Sequence, residues 1–207
     1  IAKLQDALPE LGVNEQRIQI LAELTRLRLA ACHPRLHDPE SAVPSPKLER
    51  LLALLAELRA EGPRALVFSQ FAAAGISYQY LDGATPAALR GARVAAFQAG
   101  DGDVFLISLK AGGTGLNLTA ADYVIHLDPW WNPAVEDQAV DRAHRLGQTR
   151  PVMVYRLVAQ GTIEERILAL QDRKAALAES MYSGSVGRKQ PLFSESDLTE
   201  LLMPLSA

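Results

Sequence analysis

The 207-residue sequence predicts an α/β fold, a parallel sheet flanked by helices, on three observations. Short apolar runs recur that suit strands buried on both faces, as in Ala65–Ser69 (ALVFS) and Val104–Ser108 (VFLIS). Stretches of helical periodicity separate them, and such alternation favours right-handed parallel crossovers. Proline, glycine and small polar residues stand at the junctions, where turns and caps need them.

Asn14 is placed to cap a first helix running to about Ala31, with Ile18, Leu21, Leu24 and Leu27 as its apolar stripe. Four prolines between Pro34 and Pro46 then read as a linker, since each fixes φ and removes a donor. Ser45 caps a second helix with Pro46 at its first position. Leu48, Leu51, Leu52, Leu55 and Leu58 face inward, and Gly62 ends it. Strands follow at Ala65–Ser69, Tyr78–Leu81, Val104–Ser108, Tyr123–Leu127 and Val152–Val158. Thr85-Pro86 opens a helix ending at Gly100, and Asn132-Pro133 opens one running to about Arg145. Thr162-x-x-Glu165 is a capping box for a long helix to about Glu179. Ser183–Gln190 reads as a loop and Ser194–Leu202 as a short terminal helix.

One connection is too short. A parallel crossover needs about ten or more residues, usually with a helix, and Phe71–Ser77 offers only a few. Either the two strands are antiparallel, or residues are missing between Phe71 and Ser77, the favoured reading.

Charge and cysteine usage narrow the function. A net charge of −3 excludes a bulk polyelectrolyte binder, so any nucleic-acid contact is local. One cysteine, Cys32, excludes a disulfide framework. Without a signal-peptide pattern or an apolar run of roughly 20 residues, a cytoplasmic, nucleoid-associated location is expected. The abundance of alanine, leucine and arginine suits a GC-rich bacterial source. The four histidines have no ligand spacing with Cys32, and no Gly-x-Ser-x-Gly elbow occurs, so a metal site and a serine hydrolase are set aside.

Three features carry chemistry. Gln138, Arg142 and Arg145 are spaced i, i+4 and i+7, which puts them on one face of the expected helix. Paired guanidiniums suit a polyanion, although a solvated face paired with Asp137 and Asp141 is the plainer reading. The loop Lys110–Asn117 (KAGGTGLN) lets backbone N–H groups approach phosphate, or is simply a tight turn. It lacks the Gly-Lys-Ser/Thr of a Walker loop and the third glycine of a dinucleotide fingerprint. Trp130-Trp131 stands at a strand-to-helix corner, where either ring can pack or stack on a base.

In order along the chain, LVFSQF (66–71), YLDGATP (80–86), FLISLKAGGTGLNLTAADYVIHLDPWWNP (105–133) and QAVDRAHRLGQ (138–148) resemble the C-terminal motor lobe of Swi/Snf ATPases, members of helicase superfamily two. The resemblance covers about residues 14 to 183. It implies a RecA-like lobe over residues 47–160, preceded by a helical segment and linker (1–46). A brace helix and tail (161–207) follow. It implies that Arg142 and Arg145 are arginine fingers beside Gln138, and that Gly113, Gly115, Asn117 and Asp141 lie on the nucleotide side. Ser69, Gln70, Gly83, Thr85, Ser108, Lys110, Gly112, Trp130 and Trp131 are implied to face DNA. ATP and Mg²⁺ are then held mainly by a first lobe, since no Walker lysine or Asp-Glu motif is present. This chain alone is expected not to hydrolyse ATP. The implied partners are that first lobe, double-stranded DNA, and a DNA-bound protein or RNA polymerase. Two other classes stay open, a stand-alone binding module for DNA or protein and a nucleotide-cofactor enzyme.

Overall fold

The structure is a computed structural model that describes residues 13–69, 78–108 and 116–182, with positions 197 and 201. The chain divides into two compact units, Pro46–Val158, and Ile1–Ser45 with Ala159–Ala207.

The larger unit is a five-stranded sheet, all parallel, in the order β2-β3-β1-β4-β5. Its strands are β1 (Ala65–Phe68), β2 (Tyr78–Leu81), β3 (Val104–Ile107), β4 (Tyr123–His126) and β5 (Met153–Arg156). Helix α2 (Pro46–Glu61) precedes the sheet, α3 (Ala87–Ala99) links β2 to β3, and α4 (Pro133–Val140) links β4 to β5. Every residue of β1 and β3 is buried, as expected for inner strands covered on both faces. Phe68, Phe97, Phe105, Ile107 and Val124 form the centre of the core, and Phe97 meets Phe105 edge-on at 5.3 Å.

The antiparallel alternative for β1 and β2 does not hold. Both strands run parallel to β3, which lies between them, so Tyr78 and Ala65 share Val104 as a register partner. The short connection itself lies outside the described residues, as do the loop at 183–190 and most of the expected terminal helix.

Helix α2 begins at Pro46 and is followed by Gly62 at φ +86°. It buries Leu51, Leu54, Leu55 and Leu58, whereas Leu52 is exposed and Lys47 is buried in the first turn. Helix α3 stops at Gly100, in the left-handed region at φ +105°, whose N–H reaches the carbonyls of Ala96 and Phe97. A Cβ there would stand 2.8 Å from Arg64 Nη2, and Arg64 is engaged with the Phe97 carbonyl. Gly100→Ala is expected to cost about 1–2 kcal/mol, read as a lower urea midpoint.

In the other unit, α1 (Val13–Cys32) packs on α5 (Ile163–Tyr182). Asn14 lies inside α1 rather than capping it. The buried stripe is Ile20, Leu24, Arg28 and Cys32, spaced by four, and Ile18 and Leu21 are exposed. The expected stripe took steps of three throughout, from Ile18 to Leu27, and such steps drift off one face over successive turns. At α5 the capping is rearranged. Thr162 Oγ1 accepts from the Glu164 N–H at 3.2 Å, and Glu165 reaches back to the Gly161 N–H at 2.9 Å. Buried Glu164 accepts from the Ala159 N–H at 2.8 Å, so two carboxylates share the incoming turn. Among the described residues no helix is long and apolar enough to cross a membrane.

Candidate functional site

Because the strands are in register, Leu81, Ile107, Phe68, His126 and Arg156 form one row at the carboxyl edge of the sheet. β1 continues toward β2 on one side and β4 toward β5 on the other. Parallel sheets bind ligands at such a switch point. Ser69 and Ser108 lie just past the row, their N–H groups donating to the carbonyls of Ile107 and Leu81. Ser69 is buried and Ser108 half-buried.

The arginine segment departs from the expected helix. α4 ends at Val140, Asp141 closes it, and the chain from 141 to 147 runs as turns. The cause is long-range. The N–H of buried Leu118 donates to the Arg142 carbonyl at 2.9 Å, an acceptor that a continuing helix would use itself. Ala143 then enters the core. The shared face of Gln138, Arg142 and Arg145 is therefore lost. Gln138 and Arg145 are exposed, and Arg142 is only 9% exposed.

Arg142 turns inward, its guanidinium carbon 5.6 Å from the centroid of the Phe68 ring. His126 also stacks on Phe68, at 5.5 Å. Burial, and then the charge of Arg145, push the Arg142 guanidinium below its ordinary pKa. Arg145 instead donates through Nη1 to the Leu116 carbonyl at 3.2 Å, at the exit of the glycine loop. Gln148 donates to the carbonyls of Thr119 and Ala121 at 3.0 and 2.9 Å, and Gln98 accepts from the Ala120 N–H at 2.8 Å. The strand of chain leaving the glycine loop and the arginine turns are thus one hydrogen-bonded block. Asn117 and Asp141 are exposed on it. Gln70, Lys110, Gly112, Gly113 and Gly115 lie outside the described residues.

On the other side of β3, residues 82–85 close on themselves. Thr85 Oγ1 donates to Asp82 Oδ1 at 2.7 Å and accepts from the Asp82 N–H at 3.0 Å. Arg90 clamps the carbonyls of Asp82, Gly83 and Thr85. The hydroxyl of Thr85 is thus committed to Asp82, and Thr85 is buried. The Thr85 hydroxyl, then the Tyr80 hydroxyl and the backbone N–H groups of Thr85 and Ala84, hold the Asp82 carboxyl below the usual range.

Trp130 and Trp131 are half-buried, and Trp130 packs on the core. Asn132 caps α4 by accepting from the Ala134 N–H at 3.1 Å, with Pro133 at the first position. Two residues that spacing did not single out act here. Glu136 is fully buried, accepts from the Trp130 N–H at 2.6 Å and pairs with Arg156 at 2.9 Å. Lys47 is buried and donates to the Leu127 carbonyl at 2.6 Å. Among the described residues, no group of three or more His, Cys, Asp or Glu side chains could hold a metal ion.

The site is thus a carboxyl-edge row on a parallel sheet, with the arginine turns hydrogen-bonded to Leu116 and Leu118. Residues 46–147 match the family model described as helicase conserved C-terminal domain. YwqA of Bacillus subtilis, by name an ATP-dependent helicase/translocase, is 39% identical over 193 residues, 85% of this chain and 21% of its own length. The solved C-terminal domain of the Sulfolobus solfataricus SWI2/SNF2 ATPase superposes with a TM-score of 0.72 at 27% identity, covering 99% of this chain and 90% of that one. The ATPase core of that protein in complex with dsDNA gives a TM-score of 0.72 at 32% identity, over 88% of this chain and 42% of that one. The chain belongs to the Swi/Snf family as its C-terminal, RecA-like lobe. It spans about a fifth of the length of YwqA.

Proposed function

We propose that this lobe completes an ATP site held by a first RecA-like lobe and grips the backbone of duplex DNA, making it half of a translocase. The observation that supports this most strongly is Arg145, an exposed guanidinium anchored on Leu116 at the exit of the glycine loop. One N–H holds the side chain in place, and the planar fork keeps further donors for phosphate oxygens. Such preorganisation is what charge stabilisation in phosphoryl transfer requires.

In this reading ATP with Mg²⁺, bound mainly by the first lobe, supplies the phosphoryl group that passes to water. Arg145 presents positive charge to it when the lobes close. Gln138 and Asn117 face the same cleft, with Asp141 and the glycines at 113 and 115. Arg142 joins them by leaving the Phe68 ring. Ser69, Gln70, Gly83, Ser108, Lys110 and Gly112, with Trp130 and Trp131, follow one DNA strand. Thr85 contributes through its backbone. Contacts of this kind carry no sequence information, which suits a motor stepping along any duplex. Closure coupled to a ligand that differs between states moves the grip. A DNA-bound protein or a polymerase is the obstacle such a motor would displace, in a soluble, DNA-associated setting.

ATP turnover of a protein carrying both lobes, measured with and without duplex DNA, tests the proposal. Stimulation by duplex is expected, with no turnover by this chain alone. Turnover indifferent to DNA would leave a binding module instead.

A further inference from the structure

The Trp130-Trp131 corner is reached through residues 127–129, all buried. Two buried charges of opposite sign act on the backbone at either end of that segment. The Lys47 ammonium donates to the carbonyl of Leu127, 80 residues away in sequence. The Glu136 carboxylate accepts from the N–H of Trp130 and is itself paired with Arg156. Lys47 is not where local energetics would put it, and Glu136, well placed in the first turn of α4, is nonetheless fully buried. A lysine in the first turn of a helix opposes the helix dipole, and a buried ion costs several kcal/mol unless it is well paired. Both are directed at the same short stretch of main chain. Carbonyl and amide are the two groups a polypeptide offers to a cation and an anion, and each is taken by the matching sign.

We propose that Lys47 and Glu136 are positioning residues that clamp the tryptophan corner in the geometry needed to meet nucleic acid. The inference rests on the reading that Trp130 and Trp131 contact DNA, and it deepens that reading. Lys47 also stands at the boundary of the two compact units, one residue after the first residue of the sheet unit. The clamp therefore ties the start of that unit to its DNA-facing corner. Arg156 holds the Glu136 carboxylate in place from the edge strand.

The chain has two tryptophans, both at this corner, so its indole emission reports the corner alone. Acrylamide quenching and the Kd for a short DNA duplex are measured for the wild type, Lys47→Met and Glu136→Gln. Each variant is expected to be quenched more readily and to bind duplex about tenfold more weakly. The double variant is expected to lose less than the product of the two, because both act on one segment. Arg156→Gln, at the half-exposed end of the network, is expected to shift both readouts in the same direction and serves if the buried-charge variants do not fold. A lower unfolding temperature with unchanged quenching and Kd in the folded variants would overturn the clamp and leave a purely structural role. If the wild type does not bind duplex, the DNA reading of the corner fails, and quenching alone decides whether the clamp exists.

Discussion

Replacing Arg145 with alanine in a protein carrying both lobes is expected to lower DNA-stimulated ATP turnover by about 10³ to 10⁵ while sparing ATP binding. The side chain is exposed and rests on the Leu116 carbonyl, so its removal opens no core cavity. Loss of activity can then be assigned to the guanidinium rather than to unfolding. Arg145→Lys is expected to recover little, because an ammonium keeps the charge and loses the planar fork. Arg142→Ala should behave differently, lowering both turnover and stability, since that guanidinium covers the Phe68 ring. Measuring kcat and KM for ATP beside a thermal melt separates the two residues. Near-normal turnover of Arg145→Ala would remove its proposed role.

Acid is expected to destabilise the chain through His126. This side chain is fully buried in β4 and stacked on Phe68, and burial, then the charge of Arg156, lower its pKa from 6.5 to about 4. Between those two values the unfolded chain takes up a proton that the folded chain refuses. Stability therefore rises with pH in that window and is lost as pH falls from about 6.5 toward 4. The full effect is about 3 kcal/mol, from roughly 1.4 kcal/mol per pH unit. Urea unfolding at neutral pH and near pH 4.5, for the wild type and His126→Leu, isolates it. The leucine variant should lose less stability on acidification. Parallel losses in the two proteins would show that other groups govern the acid limb.

Much of the architecture was legible because burial writes itself into short apolar runs. β1 and β3, buried along their whole length, were located to within a residue. So were the start of α2 at Pro46 and the αL stop of α3 at Gly100, because proline and glycine carry strong local conformational preferences. The ordered motifs also allowed the family resemblance to be drawn. Local periodicity failed where a distant group competed for a backbone atom. Spacing put Gln138, Arg142 and Arg145 on one helical face, but the Leu118 N–H takes the Arg142 carbonyl and the helix stops five residues short. Glu136 and Lys47 were invisible for a related reason. A glutamate in a first turn and a lysine in a leucine-rich helix look like solvent-facing residues until their partners are known.

By itself, then, the sequence determined the α/β class, the places of the strands, the proline start of α2, the glycine stop of α3 and the family, all of which depend on side-chain polarity and backbone preference within a few residues. Only the tertiary structure decided which arginine reaches out and which turns under Phe68. It also decided which charges are buried around the tryptophan corner. Hydrogen-bond partners for buried groups come from wherever the fold brings them, and Lys47 and Leu127 meet across 80 positions of chain.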